Sequence, residues 1–183
     1  MEGGKIKVAG LLLFVGGAQS FLAIIIAEAL YPGYSTSQNF VSDLGVGPSA
    51  LIFRPSIFLL GVLGIASTYL IQRVFKSRIF SVCLILTSIG LIGGILFTED
   101  SPVVHTIFSL VLIASGGISA IVSYKFEKPP LSYVSVVLGV VALSALALLV
   151  SGIYLGLGTG GMERMSLYPV LLWLIGFGAH LTG

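Results

Sequence analysis

Charge is what this chain has least of: only 9% of its 183 residues are Asp, Glu, Lys or Arg, where soluble domains carry about a quarter. Apolar residues make up 56% and the mean hydropathy is +1.11. No soluble fold has enough interior to hide that much apolar surface. The few basic groups form no concentrated patch, so a nucleic-acid partner is excluded. Cysteine is nearly missing as well. Cys83 stands alone in an apolar run, which rules out an internal disulfide and a cysteine-based zinc site and leaves it as a small packing residue. There are two histidines, His105 and His180, and they fall at opposite ends of the spans assigned below. A bis-histidine haem, which needs both imidazoles at one depth, is therefore not supported. Linkers, low-complexity segments and internal repeats are absent too, so residues 1–183 read as a single integral membrane domain.

Six apolar blocks are present, near residues 8–30, 55–72, 79–97, 103–124, 131–156 and 165–182. The first, at about 1.5 Å per residue, is roughly 35 Å long and can cross a hydrocarbon core of about 30 Å. It is too long for a signal-peptide core, lacks a convincing cleavage site, and precedes further blocks needing the same environment. The expected fold is all-α: a polytopic bundle of six transmembrane helices with a short extracytoplasmic helix between spans one and two. Lys5, Lys7, Arg73, Lys76, Arg78, Lys125 and Lys128 lie on the amino-terminal side of the spans, and only Arg54 and Arg164 on the other. That bias predicts a multi-pass protein of the cell membrane with both termini cytoplasmic. Anchoring to anionic headgroups explains the basic connections at 73–78 and 125–130, making membrane lipids the expected partners.

Gly90-x-x-x-Gly94 in span three and Gly152-x-x-x-Gly156 in span five are spacings that let helix backbones approach where no hydrophobic force drives association. In span four, Ser101, His105, Ser109, Leu112, Gly116, Ser119 and Ser123 fall on one stripe at 100° per residue. The stripe is expected to face the bundle interior and to carry His105 with it.

The polar residues concentrate in the three connections on the side away from the termini. Between spans one and two, Tyr31-Pro32-Gly33-Tyr34 is an interfacial turn. Ser35-x-x-Gln38 has capping-box spacing, and Gly45 suits a helix C-terminus, so residues 36–44 are expected to form a short helix carrying Asn39 and Asp43 on one side. Pro55 is expected in the first turn of span two. The second connection holds Glu99 and Asp100, then Ser101-Pro102, which suits the start of span four. The third, Gly156 to Arg164, reads as a loose glycine-rich turn with an exposed Glu163–Arg164 ion pair. Glu28 lies near the end of the first span, where an ionisable group is costly unless it reaches water or a partner; Arg54 or Arg164 would serve. Oxygen and imidazole ligation of a metal by Asp43, Glu99, Asp100 and His105 is chemically possible, but no spaced motif supports it, and the cofactor is left unknown.

Tyr31-Pro32-Gly33-Tyr34-Ser35 followed by Asn39-Phe40-Val41-Ser42-Asp43-Leu44-Gly45 resembles the signature of a family of archaeal and bacterial polytopic membrane proteins catalogued as a domain of unknown function. Phe97-Thr98-Glu99-Asp100 with His105 beyond it is similar to that family's later pattern of an aromatic, an acid and a histidine at a helix start. The resemblance implies a small helical bundle and singles out Asp43, Asp100 and His105; it brings no activity with it. The expectation is an extracytoplasmic polar pocket binding, or hydrolysing, a lipid headgroup or small polar ligand. His105, Asp43 and Asp100 would be the catalytic candidates, and Asn39, Arg54, Glu99 and Glu28 the ligand-binding ones. The alternative is a non-catalytic subunit packed against another membrane protein or a second copy of itself. Transport is less favoured, because no charged residue falls at mid-depth of a span.

Overall fold

A computed structural model describes residues 2–98 and 101–183. Glu99 and Asp100 lie outside the described residues. The chain forms α1 (Glu2–Leu30), α2 (Ala50–Phe75), α3 (Arg78–Leu96), α4 (Pro102–Ser123), α5 (Leu131–Val150) and α6 (Gly158–Thr182). All six are long and apolar enough to cross a membrane, and the protein is a multi-span helical membrane protein. Each helix packs on its neighbours in sequence, α6 returns to α1 to close a ring, and α4 also touches α6 across it. One end of the ring carries both termini; the other, the loop end, carries the 31–49 connection.

Large apolar side chains such as Leu51, Val103 and Leu155 face outward, as expected where the solvent is lipid. Hydroxyls and small residues fill the helix seams instead, because packing and interhelical hydrogen bonds are what hold such helices together. Ser67 donates to the Ala9 carbonyl (2.9 Å) between α2 and α1. Thr87 and Ser115 Oγ meet at 2.9 Å between α3 and α4. Trp173 Nε1 donates to Ser123 Oγ at 2.9 Å between α6 and α4. A Cβ on Gly10 would lie 2.6 Å from the Gly178 carbonyl, and one on Gly139 would lie 2.6 Å from that of Gly117. These are the backbone crossings of α1 on α6 and of α5 on α4. Gly90 does press on the Leu112 backbone of α4, whereas Gly94 has nothing within 4 Å of a built Cβ. The α4 stripe faces inward: Gly116, Ser119 and Ser123 are buried.

Several boundaries differ from expectation, each for a local reason. α5 stops at Val150 rather than 156. Gly152 takes a positive φ of 73°, Ile153 N–H reaches the Leu148 carbonyl and Gly152 N–H that of Leu149, which is a Schellman motif. The Gly152/Gly156 pair therefore belongs to a turn and not to a helix seam. α6 begins at Gly158 rather than 165, which puts Glu163 and Arg164 inside it. α2 begins at Ala50, so Pro55 sits inside the helix rather than in its first turn.

The expected continuous helix over 36–44 is absent. In its place are a turn, with Gln38 and Asn39 N–H both on the Ser35 carbonyl, and a four-residue 3₁₀ helix, Ser42–Gly45. The reason lies in the side chains. Asn39 Oδ1 accepts Ser35 N–H (3.0 Å), and Asp43 Oδ2 accepts Phe40 N–H (3.0 Å) and Asn39 Nδ2–H (3.2 Å). Such local bonds compete with the helical ladder and here they replace it.

Candidate functional site

The loop end is built on one arginine. Arg164 enters from the second turn of α6, and its side chain is 10% exposed. Nε and Nη2 donate to Glu28 Oε1 at 3.1 and 2.6 Å. Nη2 also donates to Tyr34 Oη (2.6 Å), and Nη1 reaches the carbonyls of Thr36, Asn39 and Gly160 at 2.9 to 3.0 Å. Glu28 is thus paired with Arg164, not Arg54, and Tyr168 Oη donates to the same Glu28 oxygen at 3.3 Å. Tyr34 in turn donates to the Phe40 carbonyl (2.7 Å). Burial pushes its phenol up to about 12, outweighing the opposing pull of Arg164, so it stays a neutral donor. One guanidinium with its donors spent therefore ties α1, α6 and the 34–39 segment together.

The glycines ahead of Arg164 complete this junction. Gly160 N–H donates to the Ser37 carbonyl (3.1 Å), and Thr159 Oγ1 to that of Gln38 (2.8 Å). A Cβ would lie 2.1 Å from the Ser37 oxygen at Gly158 and 2.0 Å from the Asn39 oxygen at Gly160. The glycine-rich run is a seat for the 35–41 backbone, and the Ser37 carbonyl satisfies one of the N–H donors that the first turn of a helix leaves free. Glu163 does not pair with Arg164. Its Oε2 accepts Val41 N–H, and its other oxygen has no hydrogen bond among the described residues.

His105 sits one turn into α4 with its Nδ1 3.0 Å from the Gly94 carbonyl and 2.9 Å from that of Phe97. Carbonyls only accept, so Nδ1 carries the hydrogen and the ring caps the end of α3. In the neutral ring Nε2 is then the acceptor, and its one hydrogen-bond partner among the described residues is Ser109 Oγ at 3.4 Å. Three cavities meet at this ring. The innermost, about 70 Å³, reaches down between α2, α3 and α6 and is bounded by Glu163 and Ser109. A second, about 270 Å³, runs between α4 and α5 from Ser42, His105 and Glu163. A third, about 240 Å³, opens between Phe40, Asp43, Thr98 and His105.

The structure brings Asp43 and His105 to one cavity, with Asn39 bonded to Asp43 behind it. Glu28 stands apart in the arginine cluster. Arg54 lines none of the three cavities; Nη2 reaches the Ile95 carbonyl at 3.5 Å, and its buried Nε has no partner among the described residues. Glu163 is the residue that sequence reasoning missed. A span beginning at 165 leaves it in an exposed pair, whereas the actual start of α6 at Gly158 places it inside the helix and against the cavities. Among the described residues no group of three or more His, Cys, Asp and Glu side chains is placed to hold a metal ion.

A family described as protein of unknown function (DUF998) matches residues 14–180, and the chain belongs to it. No curated protein and no solved structure matches.

Proposed function

We propose that this member of the DUF998 family binds a lipid headgroup or small polar ligand in the cavities around His105. The supporting observation is the meeting of three cavities at a ring whose Nδ1 is fixed by two backbone carbonyls and whose Nε2 makes only a long contact, with Ser109 Oγ, among the described residues; Asp43, Glu163 and the hydroxyls of Ser42, Thr106 and Ser109 stand on the walls. Polar groups converging at one end of an apolar bundle suit a ligand that is itself polar and arrives at the membrane interface. The bias of Lys and Arg toward the terminal side supports an orientation with both termini cytoplasmic and this site extracytoplasmic. Asp100, four residues after the end of α3 and five before His105 in sequence, is a further candidate for the same role.

Binding is favoured over hydrolysis. Acyl transfer needs donors aimed at a developing oxyanion, and two carboxylates on the walls oppose that charge. The test is ligand retention: the full chain, purified in mild detergent, is analysed by native mass spectrometry beside Asp43→Ala, His105→Ala and Glu163→Ala. The expected result is a co-purifying small molecule lost from these variants. Identical retention in all three would overturn the pocket, and a stoichiometric protein partner in its place would favour an accessory-subunit role.

A further inference from the structure

Given a ligand-binding pocket as proposed above, we infer that its occupant is a bilayer lipid with an ammonium-bearing headgroup, seated on Glu163, Asp43 and His105, with one acyl chain in the groove between α4 and α5. The inference stands on what each wall group has left to offer. Glu163 has one oxygen held by Val41 N–H and the other without a hydrogen bond among the described residues. Asp43 spends Oδ2 on Asn39 and Phe40, and its Oδ1 has no such bond. His105 has spent its Nδ1 hydrogen on two carbonyls, leaving at Nε2 an acceptor that only the Ser109 hydroxyl, at a long 3.4 Å, contacts among the described residues. Among the described residues no lysine or arginine lines any of the three cavities. The neighbouring Arg164 is turned away, its donors taken by Glu28, Tyr34 and three carbonyls.

A headgroup whose only charge is a phosphate or other anion would face carboxylates with no cation to offset them among the described residues. An ammonium would meet three acceptors and supply the charge that unpaired carboxylates near a membrane require. Below His105 the second cavity turns apolar, bounded by Leu110, Ile113, Leu146 and Leu149. Ile113 lies eight residues along α4 from His105, about 12 Å at 1.5 Å per residue. Polar acceptors above and an aliphatic slot below match an amphiphile, and the surrounding bilayer supplies one.

The experiment uses the full chain, delipidated in mild detergent and offered phosphatidylethanolamine and phosphatidylglycerol with identical acyl chains, read by native mass spectrometry. The ethanolamine lipid should be retained about tenfold more, the scale of one charge-assisted hydrogen bond. That preference should fall to near parity in Glu163→Gln, whose amide oxygen still accepts Val41 N–H, so the fold is kept; a thermal unfolding midpoint near wild type checks this. Ile113→Trp should reduce retention of both lipids. Equal retention, or a preference for the glycerol lipid, overturns the ammonium seat while leaving the pocket standing. Free ethanolamine competing as well as the lipid overturns the acyl-chain slot. Failure of the pocket itself is distinguishable, because retention would then ignore all of the alanine substitutions above.

Discussion

At the scale of single residues, Arg164 carries the largest consequence. Removing one partner of a buried ion pair leaves the other charge uncompensated, at a cost of about 3–5 kcal/mol. Arg164→Ala strands the Glu28 carboxylate and three carbonyls as well, so a loss at the upper end of that range is expected in thermal or denaturant unfolding in detergent. Arg164→Lys, which keeps the charge but not the planar fork, should recover only part of it. Glu127 makes a different statement. It follows α4 at the terminal end, buried, with Ser123 Oγ donating to Oε2 at 3.1 Å and Oε1 unpartnered among the described residues. Burial raises its carboxyl above the ordinary 4.5, against the pull of Ser135, Ser123 and His180. A raised folded-state value means the neutral acid is the form the fold prefers. The stability it brings is complete below 4.5 and is lost as pH rises through the raised value. Glu127→Gln should therefore match wild type in acid and become progressively more stable than it as pH climbs, as read from unfolding midpoints across a pH series.

At the scale of elements, the α6 start and the 31–49 connection are one structure. Gly160→Ala would drive a methyl group into the Asn39 carbonyl and should cost about 1–3 kcal/mol, as overpacking does. The expected sign is easier protease cleavage within 31–49, with the rest of the bundle unchanged; equal cleavage rates would show that the seat yields freely. This junction also marks where sequence reading stopped. The apolar blocks and the inward stripe of α4 could be read because periodicity and length are local properties. The 36–44 helix could not be read correctly, because whether Asn39 and Asp43 cap a helix or unpick it depends on backbone geometry that composition does not carry. The glycine run after Tyr154 has the composition of a flexible turn, and only the 35–41 backbone lying against it reveals a close-packed helix start. Glu163 escapes notice through the same error, whereas Asp43 and His105, which share a cavity, stand out as candidates because polar residues are so scarce in this chain.

At the scale of the whole molecule, the bias of Lys and Arg toward the terminal end predicts a sidedness that can be measured. With Cys83 replaced by serine, a cysteine introduced at Gln38, which is exposed on the loop end, should react with a membrane-impermeant maleimide in intact cells. One introduced at Lys76, between α2 and α3, should react only after lysis. The reverse pattern would invert the proposed topology and place the His105 cavities in the cytoplasm. Closure of the ring also decides when the protein becomes complete. The carboxylate of Glu28 and the guanidinium that neutralises it are 136 residues apart, one in α1 and the other in α6, the last of the six helices to be synthesised. Until α6 is inserted, the nascent bundle holds an unmatched acid at its rim and a connection with nothing to rest on. Chains truncated before Arg164 should therefore be degraded faster than the full chain, as read by pulse-chase in cells.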